Sequence, residues 1–246
     1  MGTVVTIDVY PEPGATAAQL AGARQQIQQA CVILHRADEI FSTWQPGSPI
    51  SRLRRGDITA ADAPAEVADV IAACATARDL SGGWFDPWAM PGGFDPTGYV
   101  KGWATQRALA VLAGASGVSG AMVNAAGDIA SVGQLPAGQR FRVGIADPAA
   151  PRQLAEVVEL TGSIATSGSY ERGPHLMDPR TRRPVARVAS ASVTGPDLGL
   201  ADALATGLAV AGTAGLEFIA AIDGYAALTI GFDGTRGATG DFPFAC

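Results

Sequence analysis

At 246 residues the chain is long enough for one large domain or two small ones, and 48% hydrophobic with 16% charged residues excludes a disordered or fibrous protein. A formal charge of −6, with basic residues scattered except at Arg52, Arg54 and Arg55 and at Arg180, Arg182 and Arg183, excludes a general nucleic-acid surface but allows a local patch for one phosphorylated small molecule. Three cysteines, odd in number and too far apart for a metal knuckle, exclude a complete disulfide framework, and no apolar run is long enough for a membrane helix.

In chain order, the alternating, β-branched TVVTIDVY at 3–10 predicts a strand that PEPG then breaks. Apolar residues at helical spacing, from Leu20 through Leu34 to Ile40, predict a long helix over about 16–43. QPGSPISRLRRG, 45–56, reads as a connection to a second helix over about 64–80. Residues 81–98 are too rich in Gly, Pro and aromatics for regular structure and read as a shaped loop. A helix over about 99–113 follows, then strands around a tight turn in 120–133, and further strands in 141–148 and 154–168. Residues 170–185 read as a loop and 188–195 as a strand. Helices over 199–211 and 215–224 then precede a hairpin arm at 225–234. Strands in adjacent runs between helices, with no βαβ alternation and no repeat, predict an α+β fold: a mainly antiparallel sheet with long packed helices. No composition shift marks a linker, so 1–246 reads as a single domain, either undivided or made of two closely packed lobes.

Four stretches offer chemistry. In LADALATGL, 200–208, Asp202 and Thr206 lie one helical turn apart and converge on one face, an arrangement of hard oxygen ligands that suits Mg²⁺ beside a phosphate. The alternative is a helix cap and a threonine bonded back to its own helix. In FDPTGYVKGWA, 94–104, Lys101 and Gly102 open a helix whose first amides would receive a phosphate; here the alternative is an Asp-Pro turn with a solvated lysine. VNAAGDI, 123–129, reads as an Asx-type hairpin turn rather than a direct catalytic role for Asp128. The fourth stretch, 165–185, gathers Ser167, Ser169, Tyr170, His175 and Asp178 without a core periodicity that requires them. Ser-His-Asp hydrolysis is conceivable there, though no GxSxG elbow supports it.

Collinear motifs spanning nearly the whole chain resemble those of the ApbE family, the Mg²⁺-dependent FAD:protein FMN transferases. They are MGT (1–3), FSTWQPGSPISRL (41–53), SGGWFDP (81–87), FDPTGYVKGWA (94–104), VNAAGDI (123–129), ATSGSYER (165–172), HLMDPRTRRP (175–184) and ADALATGL (201–208). The resemblance implies an ApbE-like fold and a flavin site built from Met1, Trp44, Trp84, Phe85, Asp86, Asp95, Lys101 and Met177. It further implies Mg²⁺ held by Asp202 and Thr206 with the main-chain oxygens of Gly98 and Ala205. Asp202, as the metal's carboxylate, is then an expected catalytic residue; His175, the one side chain of the polar loops whose type titrates near neutral pH, is the other, as acid or base. The implied reaction moves FMN from FAD onto a Thr or Ser hydroxyl of a target flavoprotein and releases AMP; the implied partners are FAD and that acceptor, with no nucleic acid and no membrane segment.

The chain also departs from the family pattern. Only eight residues separate Asp86 from Asp95, which removes part of one lobe. Pro96 and Thr97 replace a usual Leu-Gly pair, Ala126 replaces a glycine, and the loop lacks a Ser before His175 and a Gly after Thr181. Two alternatives therefore stand beside the transferase: an FAD pyrophosphatase giving FMN and AMP, and a flavin-binding protein without turnover. As written the chain is expected in the cytoplasm; an N-terminal signal ahead of Met1 would instead place it outside.

Overall fold

The computed structural model describes residues 2–168 and 176–245. Met1 and His175, both expected at the site, lie outside the described residues, as do Ser169 and Tyr170.

The chain enters through β1 (Val5–Pro11) and turns into α1 (Ala17–Phe41). Thr16 caps α1 by accepting the Gln19 N–H, while the Gln19 side chain reaches back to the Thr16 N–H. The stretch 45–56, expected as a connection, contains a further helix, α2 (Pro49–Arg55). Its boundaries have a local cause: the Ser48 hydroxyl accepts the Ser51 N–H at 3.1 Å, Pro49 supplies a preset φ at the first position, and Gly56 closes the helix at φ 76°. α3 (Ala65–Leu80) buries Val67, Val70, Cys74 and Ala77 on one face.

α4 runs over Thr97–Leu112 and so begins two residues earlier than expected. This corrects the reading of Lys101 and Gly102 as helix-opening residues: both lie within the helix, and its first-turn amides belong to Thr97, Gly98 and Tyr99.

The remaining elements are β2 (Val118–Ala125), β3 (Asp128–Gly133), β4 (Phe141–Asp147), β5 (Ala150–Leu160), β6 (Ser163–Gly168), β7 (Met177–Asp178), β8 (Arg183–Pro184), β9 (Ser190–Gly195), α5 (Leu198–Ala211), α6 (Leu216–Ala220), β10 (Ala226–Ile230) and β11 (Arg236–Ala238). Seven strands form one sheet in the order β1-β2-β3-β6-β9-β10-β11. Every neighbouring pair in it is antiparallel, which bears out the α+β expectation. β4 and β5 leave the sheet as a two-stranded ribbon, and β7 with β8 makes a small hairpin inside the stretch expected to be a loop. α6 is shorter than expected because the Ile222 N–H turns back to the Ile219 carbonyl.

α5 is the pivot of the fold. Asp197 caps it through the Leu200 N–H at 2.7 Å, and all but two of its residues are buried. One side, with Leu204, Leu208 and Ala205, packs into a cluster with Val123, Ala165 and Val193 of the sheet. The other side presents Ala203 to Val67, Val70, Cys74 and Tyr99 of the helical layer. Each fully buried leucine contributes about 1.5–3 kcal/mol relative to exposure, so α5 is firmly fixed. Among the described residues no helix is long and apolar enough to cross a membrane.

Candidate functional site

Two helices meet at the site, and their sequences match residue for residue. A Cβ added at Gly102 of α4 would collide with the Leu198 carbonyl at the start of α5, so only glycine allows the approach. Because the backbones are this close, the Gly102 N–H donates to Asp202 Oδ2 at 3.2 Å. One turn earlier in α4, a Cβ at Gly98 would stand 3.2 Å from Thr206 Oγ1. Glycines four apart on α4 therefore face Asp202 and Thr206 four apart on α5, as expected of antiparallel helices. Ala205 is fully buried beside Thr206, and the Ser167 hydroxyl of β6 lies 3.2 Å from Thr206 Oγ1. Of the expected metal group, Gly98, Asp202, Ala205 and Thr206 are thus brought to one helix crossing.

Asp128, expected to serve only a turn, belongs to this cluster. The turn itself is made by Asn124, whose Oδ1 accepts the Gly127 N–H at 2.9 Å, with Ala126 at φ 50° and Gly127 at φ 94° in a two-residue hairpin loop. Asp128 is fully buried and pairs with the Lys101 ammonium. Beside that ammonium, the Asp202 carboxyl lies within hydrogen-bonding reach of Asp128. Burial first, and then the negative charge of Asp202, push the Asp128 carboxyl well above the ordinary carboxylate range, against the pull of Lys101. The sequence carries no separate signal for it, because the turn that VNAAGDI predicts is made by Asn124.

Two buried carboxyl groups that repel one another, with an ammonium paired to Asp128 alone, are short of positive charge, a deficit that a divalent cation removes. Among the described residues no group of three or more His, Cys, Asp or Glu side chains gathers at one point. A metal here would therefore use hydroxyl and main-chain oxygens alongside the carboxylates, an all-oxygen set that suits Mg²⁺ rather than softer ions. The residues present fit the ion.

The expected flavin residues are distributed more widely. Lys101 is at the centre, paired with Asp128. Phe85 is buried, and its ring lies 3.3 Å from where a Gly98 Cβ would be, so it forms part of the floor. Trp84 is half-buried and carries the Arg180 guanidinium 3.6 Å from its ring centroid. Asp86 caps the turn at 87–89 through the Trp88 N–H at 2.9 Å. Asp95 has both oxygens engaged: Oδ1 accepts the Thr97 N–H and hydroxyl at 3.1 and 2.7 Å, and Oδ2 meets Arg54 at 2.9 Å. Arg54 also donates to the carbonyls of Pro91, at 2.6 Å, and Gly92, at 3.3 Å, and so clamps the loop before α4. Met177 is half-buried on β7. Trp44 is 92% exposed between α1 and α2 and packs on none of these groups.

Comparison with known proteins agrees with this frame. The ApbE family model matches residues 1–94 and 91–229. The chain is 38% identical over 151 residues to the FAD:protein FMN transferase of Rhodobacter capsulatus, covering 57% of this chain and 28% of that protein. It is 35% identical over 124 residues to the FAD:protein FMN transferase of Vibrio cholerae serotype O1, covering 46% of this chain and 37% of that one. The matches thus span about a third of the length of these relatives. Among solved structures, the flavin transferase ApbE from Vibrio cholerae superposes with a TM-score of 0.82 at 22% identity, covering 98% of this chain and 95% of that one. The apo flavinyl transferase ApbE of Pseudomonas stutzeri does so with a TM-score of 0.79 at 21% identity, over 98% and 92%. From a family model that covers most of the sequence, we conclude that the chain belongs to the ApbE family.

Proposed function

We propose that the protein is an FAD:protein FMN transferase, which cleaves FAD with Mg²⁺ bound and passes FMN to a Thr or Ser hydroxyl of an acceptor flavoprotein, with release of AMP. The observation that carries this reading is the buried, mutually repelling pair Asp128 and Asp202, with Lys101 paired to Asp128, on the crossing that sets Gly98 opposite Thr206. A protein that only bound flavin would have no use for so unfavourable a concentration of charge. The names of the curated relatives, both FAD:protein FMN transferases, support the same reaction.

Cleavage of a pyrophosphate requires neutralisation of charge on its oxygens, which Mg²⁺ supplies when bound. Asp202 and Thr206 would hold it, with the main-chain oxygens of Gly98 and Ala205, while Ser167 orients the Thr206 hydroxyl. Lys101, fixed by Asp128, presents its ammonium to the phosphates and stabilises the negative charge that accumulates there. Buried Phe85 excludes water from one side of the crossing. Residues 1–246 act in this reading as a single unit, since α5 contributes to both the sheet-side and the helix-side clusters.

The test is AMP release from FAD with Mg²⁺, in the presence and absence of Thr- and Ser-containing acceptor peptides, with mass spectrometry of the peptides. The transferase reading expects AMP together with covalently attached FMN. AMP without attached flavin would mark a pyrophosphatase, and no AMP under either condition would remove both enzyme readings.

A further inference from the structure

The β7–β8 hairpin and the residues just after it carry Arg180, Arg182, Arg183 and Arg187, all exposed. They are four of 17 basic residues, in a chain with a formal charge of −6, so positive charge is concentrated here against the overall trend. Among the described residues only Arg187 has a carboxylate partner, Asp178 at 3.0 Å. The turn between the strands is ordered: Arg182 adopts φ 55°, and its N–H donates to the Asp178 carbonyl at 2.7 Å. Two of the guanidinium groups sit over one indole, with Arg180 3.6 Å and Arg187 5.3 Å from the Trp84 centroid. Stacking on an aromatic face holds an arginine in place without cancelling its charge. Trp84 adjoins Phe85, the floor of the α4–α5 crossing, so the arginine cluster borders the candidate site.

We propose that this arginine hairpin docks an acidic segment of the polypeptide that receives FMN. The inference rests on the transferase reading and adds the chemistry of the acceptor. Placement favours a polypeptide over the nucleotide: Lys101 and the helix crossing already address the pyrophosphate, whereas Arg182 on the turn and Arg183 at the start of β8 are exposed, where a surface segment meets them. Guanidinium groups engage carboxylates in bidentate geometry, and exposed complementary charge mainly steers and selects the partner.

The experiment uses two fluorescent peptides of equal length, each with one central Thr, one flanked by Asp and Glu and the other by Ser and Gly. Each is titrated by anisotropy against the full chain, the Arg183→Glu variant and the double variant Arg182→Glu/Arg183→Glu, with thermal melts to verify folding. We expect the acidic peptide to bind at least about tenfold more tightly than the neutral one, a preference that weakens with salt and disappears on charge reversal. AMP release from FAD without peptide should stay within about twofold of the parent, because steering charges at a rim act on partner association. Equal binding of the two peptides, no binding of either, or acidic binding indifferent to charge reversal would overturn the proposal. Displacement of the acidic peptide by ADP would overturn it too, since the arginines would then serve the nucleotide. An intact acidic preference without any AMP release would remove the transferase reading alone, so the two failures are distinguishable.

Discussion

Asp202 of α5 accepts the main-chain N–H of Gly102 of α4 at 3.2 Å, a contact between a carboxylate and a helix-interior amide that exists only because residue 102 has no side chain. Gly102→Ala would press a methyl group into the Leu198 carbonyl. A backbone obstacle cannot rotate away, so this overpacking should cost about 3 kcal/mol and lower Tm by roughly 10 °C. Differential scanning calorimetry checks it; an unchanged Tm would mean that the helices are not in contact at this point.

Asp128→Asn tests the residue that sequence patterning assigned to a turn. The substitution keeps the shape, relieves the repulsion with Asp202 and breaks the pair with Lys101, two opposing effects, so Tm without metal should change by only a few degrees, whereas the rise in Tm on adding Mg²⁺ should shrink. For the parent, Mg²⁺ at about 100 times its Kd should add about 2.7 kcal/mol. Turnover of the variant should drop about 10- to 100-fold, because the Lys101 ammonium loses the carboxyl that positions it. An undiminished Mg²⁺ response would place Asp128 outside the site.

Much of the architecture is legible in the sequence because it rests on periodicity. The buried face of α3, Val67, Val70, Cys74 and Ala77, and the alternation of β1 follow from spacing alone. α2 went unseen because it is only seven residues long, although Ser48, Pro49 and Gly56 spell its two ends. Strand order was not legible, since antiparallel pairing such as β3 with β6 depends on contacts distant in sequence. The pair Asp202 and Thr206 was visible as i, i+4 spacing, but the matching glycines 98 and 102 become meaningful only once α4 and α5 cross. Asp128 was hidden because Asn124 makes the turn that its neighbourhood predicts.

Arg54 and Asp95 form a partly enclosed ion pair at 2.9 Å that ties α2 to the start of α4. Arg54→Met, Asp95→Asn and the double variant should reveal a coupling of about 1 kcal/mol or more in chemical denaturation. Because Asp95 also caps Thr97, Asp95→Asn should raise KM for FAD more than it lowers kcat, if the clamp positions the loop that faces the cosubstrate. Additive single effects would show that the two side chains act independently.

Burial, with the charges of Asp202 and Asp95 adding to it, pushes the Cys74 thiol up to about 12, and burial followed by Asp197 raises the Tyr225 hydroxyl to about 12. A folded-state pKa above the unfolded value contributes stability that is complete below the unfolded pKa and is lost as pH rises. Stability should therefore hold to about pH 8.5 and fall above it toward pH 12, where both groups titrate only after their unfolded counterparts have done so. Iodoacetamide at about pH 8.5, a typical thiol pKa, should modify half-exposed Cys31 in the native protein and Cys74 only after unfolding. Rapid native labelling of Cys74 would contradict its enclosure.

In the proposed reaction α4 and α5 together build a Mg²⁺-dependent pyrophosphate site. The most direct measurement is the rate of AMP release from FAD as Mg²⁺ is titrated, for the parent chain and for Asp202→Asn, with Tm recorded for both. Saturable Mg²⁺ dependence is expected in the parent and a rate at least about 100-fold lower in the folded variant, the scale that follows when charge stabilisation at a reacting phosphate is lost. A folded Asp202→Asn protein that releases AMP at the parent rate, with the same response to Mg²⁺, would contradict it.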